Sequence, residues 1–285
     1  MPVSARLGKY GLRSFALGYL AMILLIPLGM IFYRAFEDGM AHFWESITTP
    51  DALHAFYLTF LIAAIAVPLN TVFGIVCALV LVRTSFRGKT ILNALIDIPF
   101  AVSPVVIGLS LILVYGQGHW AGDWFLDNGI QIIFSVPGMV LATIFVSLPF
   151  VVREVVPVLE EIGDEQEQAA RTLGANGWQT FWRVTLPAIR WGVTYGVVLS
   201  VARAIGEFGA VSVVSGSVSG QTQTATILVK QYYSNFDVSG AYAASLVLAV
   251  MALSTLLFMN LIRRRDKDVV APNIAVAPTT QEVKS

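Results

Sequence analysis

Apolar residues in this chain come in long unbroken runs rather than in alternation. Six stretches stand out, at residues 15–33, 55–82, 91–115, 132–152, 191–214 and 242–262. Crossing about 30 Å of hydrocarbon as a helix takes ~20 residues at ~1.5 Å each, and all six reach that range. None alternates with a period of two, so helices are expected rather than barrel strands. The first stretch is too long for a signal peptide and more follow it, so it reads as a retained span. The expectation is an all-α polytopic membrane protein of six transmembrane helices over 15–262. It is flanked by a tail at 1–14 and an unstructured tail at 263–285. No internal repeat is evident. Pro68 and Asn70 interrupt the second stretch, and Asp97-Ile98-Pro99-Phe100 and Ser103-Pro104 the third. Such prolines bend a helix and free carbonyls, as they do beside a cavity and in membrane helices generally.

Composition agrees with the pattern: 56% of the 285 residues are hydrophobic and 13% charged, against about a quarter charged in a soluble domain. Net charge is zero, so long-range attraction to nucleic acid is not implied. The single Cys77 and the scattered His42, His54 and His119 offer no metal cluster. Gly88-Lys89-Thr90 resembles the end of a phosphate loop, but the glycine required five residues earlier is Arg83. ATP hydrolysis by this chain is therefore not expected, and no catalytic residue or metal ligand is assigned.

The placement of charge is more informative than its sum. Fifteen of the eighteen Lys and Arg residues fall on one side of the six stretches; Arg34 and Lys230 fall on the other and Arg203 inside the fifth. By the positive-inside rule both termini and the segment 153–190 are expected to be cytoplasmic. The last outer loop, 215–241, carries Ile227, Leu228, Tyr232, Tyr233 and Phe236 toward one side of a short helix. That helix reads either as an interfacial anchor or as a docking surface.

Two polar features need an explanation in so apolar a chain. Arg203 lies near mid-span with Glu207 four residues on; an unpaired mid-bilayer Arg costs about 2.5–3.5 kcal/mol on insertion scales. The two form either a structural or gating pair or part of a path for a charged solute. The other feature is the segment 153–190, in which Glu160, Glu161, Asp164, Glu165 and Glu167 precede Ala169, Ala170 and Leu173. Gly174 suits a helix stop. A second short helix is expected through Trp178, Phe181, Trp182 and Val184, with Pro187 in the first turn of the fifth span. Five acidic residues disfavour lying on anionic lipid, so a protein partner is the better reading.

The run Gln168-Ala169-Ala170, three residues, Gly174, nine residues, Val184-Thr185-Leu186-Pro187 resembles the EAA loop of permease subunits of ABC importers. The family pattern has Glu where Gln168 stands and Ile where Val184 stands. With Glu167 just before Gln168, the acidic contact is either lost or taken over by Glu167. The segments 97–106 and 203–217 resemble the sulfate/molybdate branch, most closely its W-type sulfate/thiosulfate permease subunits. The resemblance covers roughly residues 15–262 and implies the type I ABC importer permease fold. It implies a coupling role for Glu167, Gln168, Ala169, Ala170, Gly174, Val184, Leu186 and Pro187. The pathway or gating candidates are Asp97, Arg203 and Glu207. The implied setting is the bacterial inner membrane. The implied partners are membrane lipid, a homologous T-type permease, a cytoplasmic ATPase dimer holding ATP-Mg, and a periplasmic sulfate/thiosulfate-binding protein. No cofactor is expected on this chain. A molybdate/tungstate permease is the near alternative. An ion-gradient-driven secondary transporter, with Asp97, Arg203 and Glu207 as a proton relay, is the distant one.

Overall fold

The computed structural model describes the backbone of residues 3–269. Thirteen α-helices account for most of the described residues. They are α1 (Val3–Ala35), α2 (Met40–Thr48), α3 (Pro50–Arg83), α4 (Lys89–Ala101), α5 (Pro104–Tyr115), α6 (Trp120–Asp127) and α7 (Val136–Ile162). There follow α8 (Glu165–Thr172), α9 (Gly177–Thr180), α10 (Leu186–Ile205), α11 (Gly209–Val214), α12 (Ala225–Ser234) and α13 (Val238–Val269). Among the described residues five helices are long and apolar enough to cross a membrane, and six spans result if the bent pair α4–α5 counts as one. The helix α1 begins inside the expected tail at 1–14, and α13 continues past residue 262; residues 270–285 lie outside the described residues.

Helices α3, α7 and α10 form the centre. The Thr49 hydroxyl accepts from the Ala52 N–H, and Pro50 opens α3, so two of the usual start signals act together. Val151 of α7 is wedged between two glycines. A Cβ on Gly74 would stand 2.7 Å from Val151 Cβ, and one on Gly196 would stand 2.7 Å from Val151 Cα. Glycine lets helix backbones approach closely where lipid supplies no hydrophobic drive. Around this contact Ala78, Val155, Leu159 and Ile189 are fully buried. The Asn70 side-chain amide adds a polar tie, donating to Ile144 O at 3.1 Å and Ser147 Oγ at 2.8 Å. The first span differs: its apolar window has no buried residue, and α1 joins the bundle along α13, with Ala35 buried beside Phe43 and Ala243.

Two expected spans are broken. The third, expected as one helix over 91–115, is α4 and α5 meeting at 111°. Val102 and Ser103 are extended (ψ 135° and 134°), because the ring of Pro104 disfavours the helical region for the residue before it. The fifth ends as a helix at Ile205 and restarts at Gly209.

Candidate coupling site

The segment 153–190 is largely helical, and its helices are longer than the two short ones expected. Helix α7 carries Arg153 and Pro157 onward to Ile162, and the helical run that becomes the fifth span begins at Gly177. Only α8 stands apart, between Gly163 (φ +63°) and Gly174 (φ +88°). Glu165 and Glu167 occupy its first turn and Arg171 its last, each favourable to the helix dipole. Its end is a Schellman motif: Ala175 N–H donates to Ala170 O and Gly174 N–H to Arg171 O, both at 3.0 Å. Asn176 then starts the next helix with a capping box. Gln179 N–H donates to Asn176 Oδ1 at 2.9 Å, and Asn176 N–H to Gln179 Oε1 at 3.0 Å.

The expected second short helix is therefore the first turns of a run from Gly177 to Ile205. Pro187 sits ten residues inside this run. Proline has no N–H to give and crowds the preceding turn. The chain responds with a π-helical turn over Phe181–Thr185, where Leu186 N–H reaches back five residues to Phe181 O.

The side chains of this region divide cleanly. Gln168, Ala169, Gly174 and Pro187 are exposed; Ala170, Val184 and Leu186 are half-buried. Leu173 is 88% exposed and Trp178 72%. Trp178, Phe181 and Trp182 cluster with ring centroids 5.4–6.5 Å apart. Glu167 points the other way and is 8% exposed. Its Oε2 accepts from Arg83 Nε at 3.1 Å and its Oε1 from the Thr185 hydroxyl at 2.9 Å. Arg83 and Thr185 give no local sequence signal of this role. Arg83 ends α3 just before a short basic stretch, and the pairing crosses 84 residues.

The three pathway candidates do not converge as a set. Asp97 pairs with Arg153, accepting from Nε at 2.8 Å and also from Nη2, which ties α4 to α7. Arg203 and Glu207 do meet: Nη1 stands 2.6 Å from Oε2, an ion contact without hydrogen-bond alignment. Glu207 lies beyond the end of α10, in the break. Its Oε1 accepts from Ala210 N–H at 2.8 Å at the start of α11, and its carbonyl accepts from the Thr226 hydroxyl at 2.8 Å. The carboxylate thus ties down a stretch of chain that no helix supports.

The two breaks face each other. A Cβ on Gly209 would stand 2.9 Å from Pro104 Cβ, and one on Gly108 would stand 2.8 Å from Ala210 O. Non-helical backbone at membrane depth persists only where protein covers it or where it lines a cavity. Among the described residues no group of three or more His, Cys, Asp and Glu side chains could hold a metal ion.

Residues 70–267 match the family described as "Binding-protein-dependent transport system inner membrane component". The chain belongs to this family. It is 53% identical over 257 residues to the sulfate transport system permease protein CysW of Synechocystis sp., covering 90% of this chain and 93% of that one. To the sulfate transport system permease protein CysT of the same organism it is 39% identical over 246 residues, covering 86% of each. Among solved structures, a bacterial ABC transporter importing the acidic polysaccharide alginate superposes with a TM-score of 0.76. That match is at 17% identity and covers 92% of this chain and 97% of the other; it shows the fold. As a member of the family, the chain is a multi-pass inner-membrane protein and a transport subunit rather than an enzyme, working within a heteromeric ABC importer.

Proposed function

We propose that this chain is the W-type permease subunit of an ATP-driven importer of sulfate and thiosulfate. The observation that carries the substrate is the 53% identity to a sulfate permease along nine-tenths of both chains. The lower 39% identity to the T-type permease favours the W-type role and makes a T-type homologue the natural second subunit. In this reading the end of the bundle carrying α8 faces the cytosol, supported by the Lys and Arg asymmetry. An ATPase dimer, with its ATP and Mg, grips α8 and the exposed Leu173, Trp178 and Trp182. A periplasmic binding protein delivers the anion at the opposite end, near α12.

The helical run Gly177–Ile205 has 29 residues, about 44 Å at ~1.5 Å per residue. It links the ATPase-facing end to the break at Glu207 as one rod. Displacing its first turns would shift the Arg203–Glu207 pair and the facing break at Pro104, opening or closing a path between the two interrupted spans. The test is reconstitution with the T-type subunit, the ATPase and loaded binding protein. ATP inside the vesicles should drive sulfate uptake, and a proton gradient alone should not. Uptake on the gradient without ATP would replace this reading with a secondary transporter. ATPase stimulation by molybdate-loaded rather than sulfate-loaded binding protein would move it to the neighbouring anion class.

A further inference from the structure

We propose that Arg83 is the positioning residue that fastens the coupling helix α8 to the membrane helices, with Glu167 as its inward-facing hook. The proposal rests on the reading of the chain as an ATP-driven permease and concerns how force enters it.

Arg83 is the last residue of α3, and its guanidinium reaches two other pieces of chain directly and a third through Glu167. Nε and Nη2 donate to the two oxygens of Glu167 on α8, at 3.1 and 3.4 Å. Nη1 donates to Leu159 O at 3.1 Å and Nη2 to Gly163 O at 2.6 Å, two carbonyls at the end of α7 that the helix itself leaves without partners. Through Glu167 Oε1 the Thr185 hydroxyl joins in, at the π turn that roots α10. One planar fork thus gathers the ends of α3 and α7, the whole of α8 and the base of the fifth span. The planar guanidinium presents donors in several fixed directions at once, which an ammonium cannot do.

Two features make this a joint rather than an incidental surface pair. The Arg83 and Glu167 side chains are 18% and 11% exposed, so water competes little for either. Helix α8 packs mainly on α9 and the π turn, and the Arg83–Glu167 contact ties it to α3. The bundle core is held elsewhere, by Gly74 and Gly196 closing on Val151. Gly74 lies nine residues before Arg83, about 13 Å along α3. Breaking the joint should therefore detach α8 from α3 without dissolving the spans. The inward turn of Glu167 also means that it does not take over the outward acidic contact of the EAA pattern. The outward face belongs to Gln168, with Leu173 and Trp178 beyond it.

The test uses the complete importer in vesicles and reads sulfate taken up per ATP hydrolysed. Arg83→Gln and Glu167→Gln should each assemble with the ATPase yet lower that ratio about tenfold, within the usual range of coupling between sites. Arg83→Lys should fall between them and the unmodified chain. Glu160→Gln, on the exposed side of α7, should leave the ratio unchanged. An unchanged ratio in Arg83→Gln and Glu167→Gln would overturn the proposal. Should those variants fail to assemble, spin labels decide it on otherwise unmodified chain. With Cys77 replaced by Ser, labels at Thr84 and Thr172, both exposed, should keep one separation with and without ATP. A separation that changes with nucleotide would show that α8 moves independently of α3. If even the unmodified importer takes up no sulfate with ATP, it is the functional reading that fails, and the label distance still reports on the joint.

Discussion

Gly174 has open space where a Cβ would stand and a φ of +88°, so what opposes a side chain there is torsion, not crowding. A left-handed residue other than glycine costs roughly 1–2 kcal/mol, and a β-branched one is worse placed than Asn. Gly174→Val should therefore unwind the end of α8 and depress ATP-driven uptake while membrane insertion stays normal. Gly174→Asn should remain close to unmodified; equal uptake in both variants would dismiss the bend as a requirement. At Glu207 the reasoning is electrostatic. The residue is 3% exposed and serves both Arg203 and the Ala210 N–H. Glu207→Ala removes both contacts and should cost about 3–5 kcal/mol, as broken buried pairs do. Glu207→Gln can still cap α11 and should cost less, which thermal unfolding in detergent would order. Spacing alone pairs Arg203 with Glu207 in the sequence. Arg153 for Asp97 and Arg83 for Glu167 are invisible there, because those partners lie 56 and 84 residues away and no local periodicity encodes them.

At the scale of elements, hydropathy located the helices and misjudged their ends, for a physical reason. An apolar window marks where hydrocarbon stops, whereas a helix stops where its backbone bonding stops. Helices α7 and α10 both outrun their apolar windows toward α8, so a segment that looks like a 38-residue loop is mainly two protruding helix ends. The prolines were visible, yet their effects differ with context. Pro104 turns α4–α5 through 111°, while Pro187 is absorbed by a π turn. In the sequence the close contact of α7 with α10 shows only as two small residues one turn apart, Gly192 and Gly196. The structure adds that a Cβ on Gly196 would come within 2.7 Å of Val151 Cα. Because that contact is to backbone, no rotamer can relieve it, and Gly196→Ala should cost about 1–3 kcal/mol, the usual penalty of overpacking. Gly177→Ala, where nothing lies within 4 Å, should be nearly neutral. Comparable melting temperatures for the two would refute the packing argument.

Across the whole molecule, the two broken spans meet at the same place, and that juxtaposition is the arrangement from which a gate can be built. Neither α4 (13 residues) nor α5 (12 residues) can span hydrocarbon alone, since ~20 residues are needed. Each therefore depends on neighbours to cover its free backbone groups. Helix α11 supplies that cover for α5, with Gly108 admitting Ala210 O and Gly209 admitting the Pro104 ring. The rod from Gly177 to Ile205 ends just before this contact, so a movement begun at α8 arrives where the two breaks touch. Gly209→Leu would insert a side chain between Pro104 and Glu207, whose nearest atoms stand 2.9 and 3.7 Å from the added Cβ. The Pro104 ring is rigid, so the breaks must separate. The expected outcome is an importer that assembles and still hydrolyses ATP in response to loaded binding protein, while uptake falls about tenfold. That fall corresponds to ~1.4 kcal/mol, within the overpacking range. Hydrolysis and uptake falling together would locate the damage at the ATPase-facing end. Uptake surviving intact would mean that the path opens somewhere other than between the two broken spans.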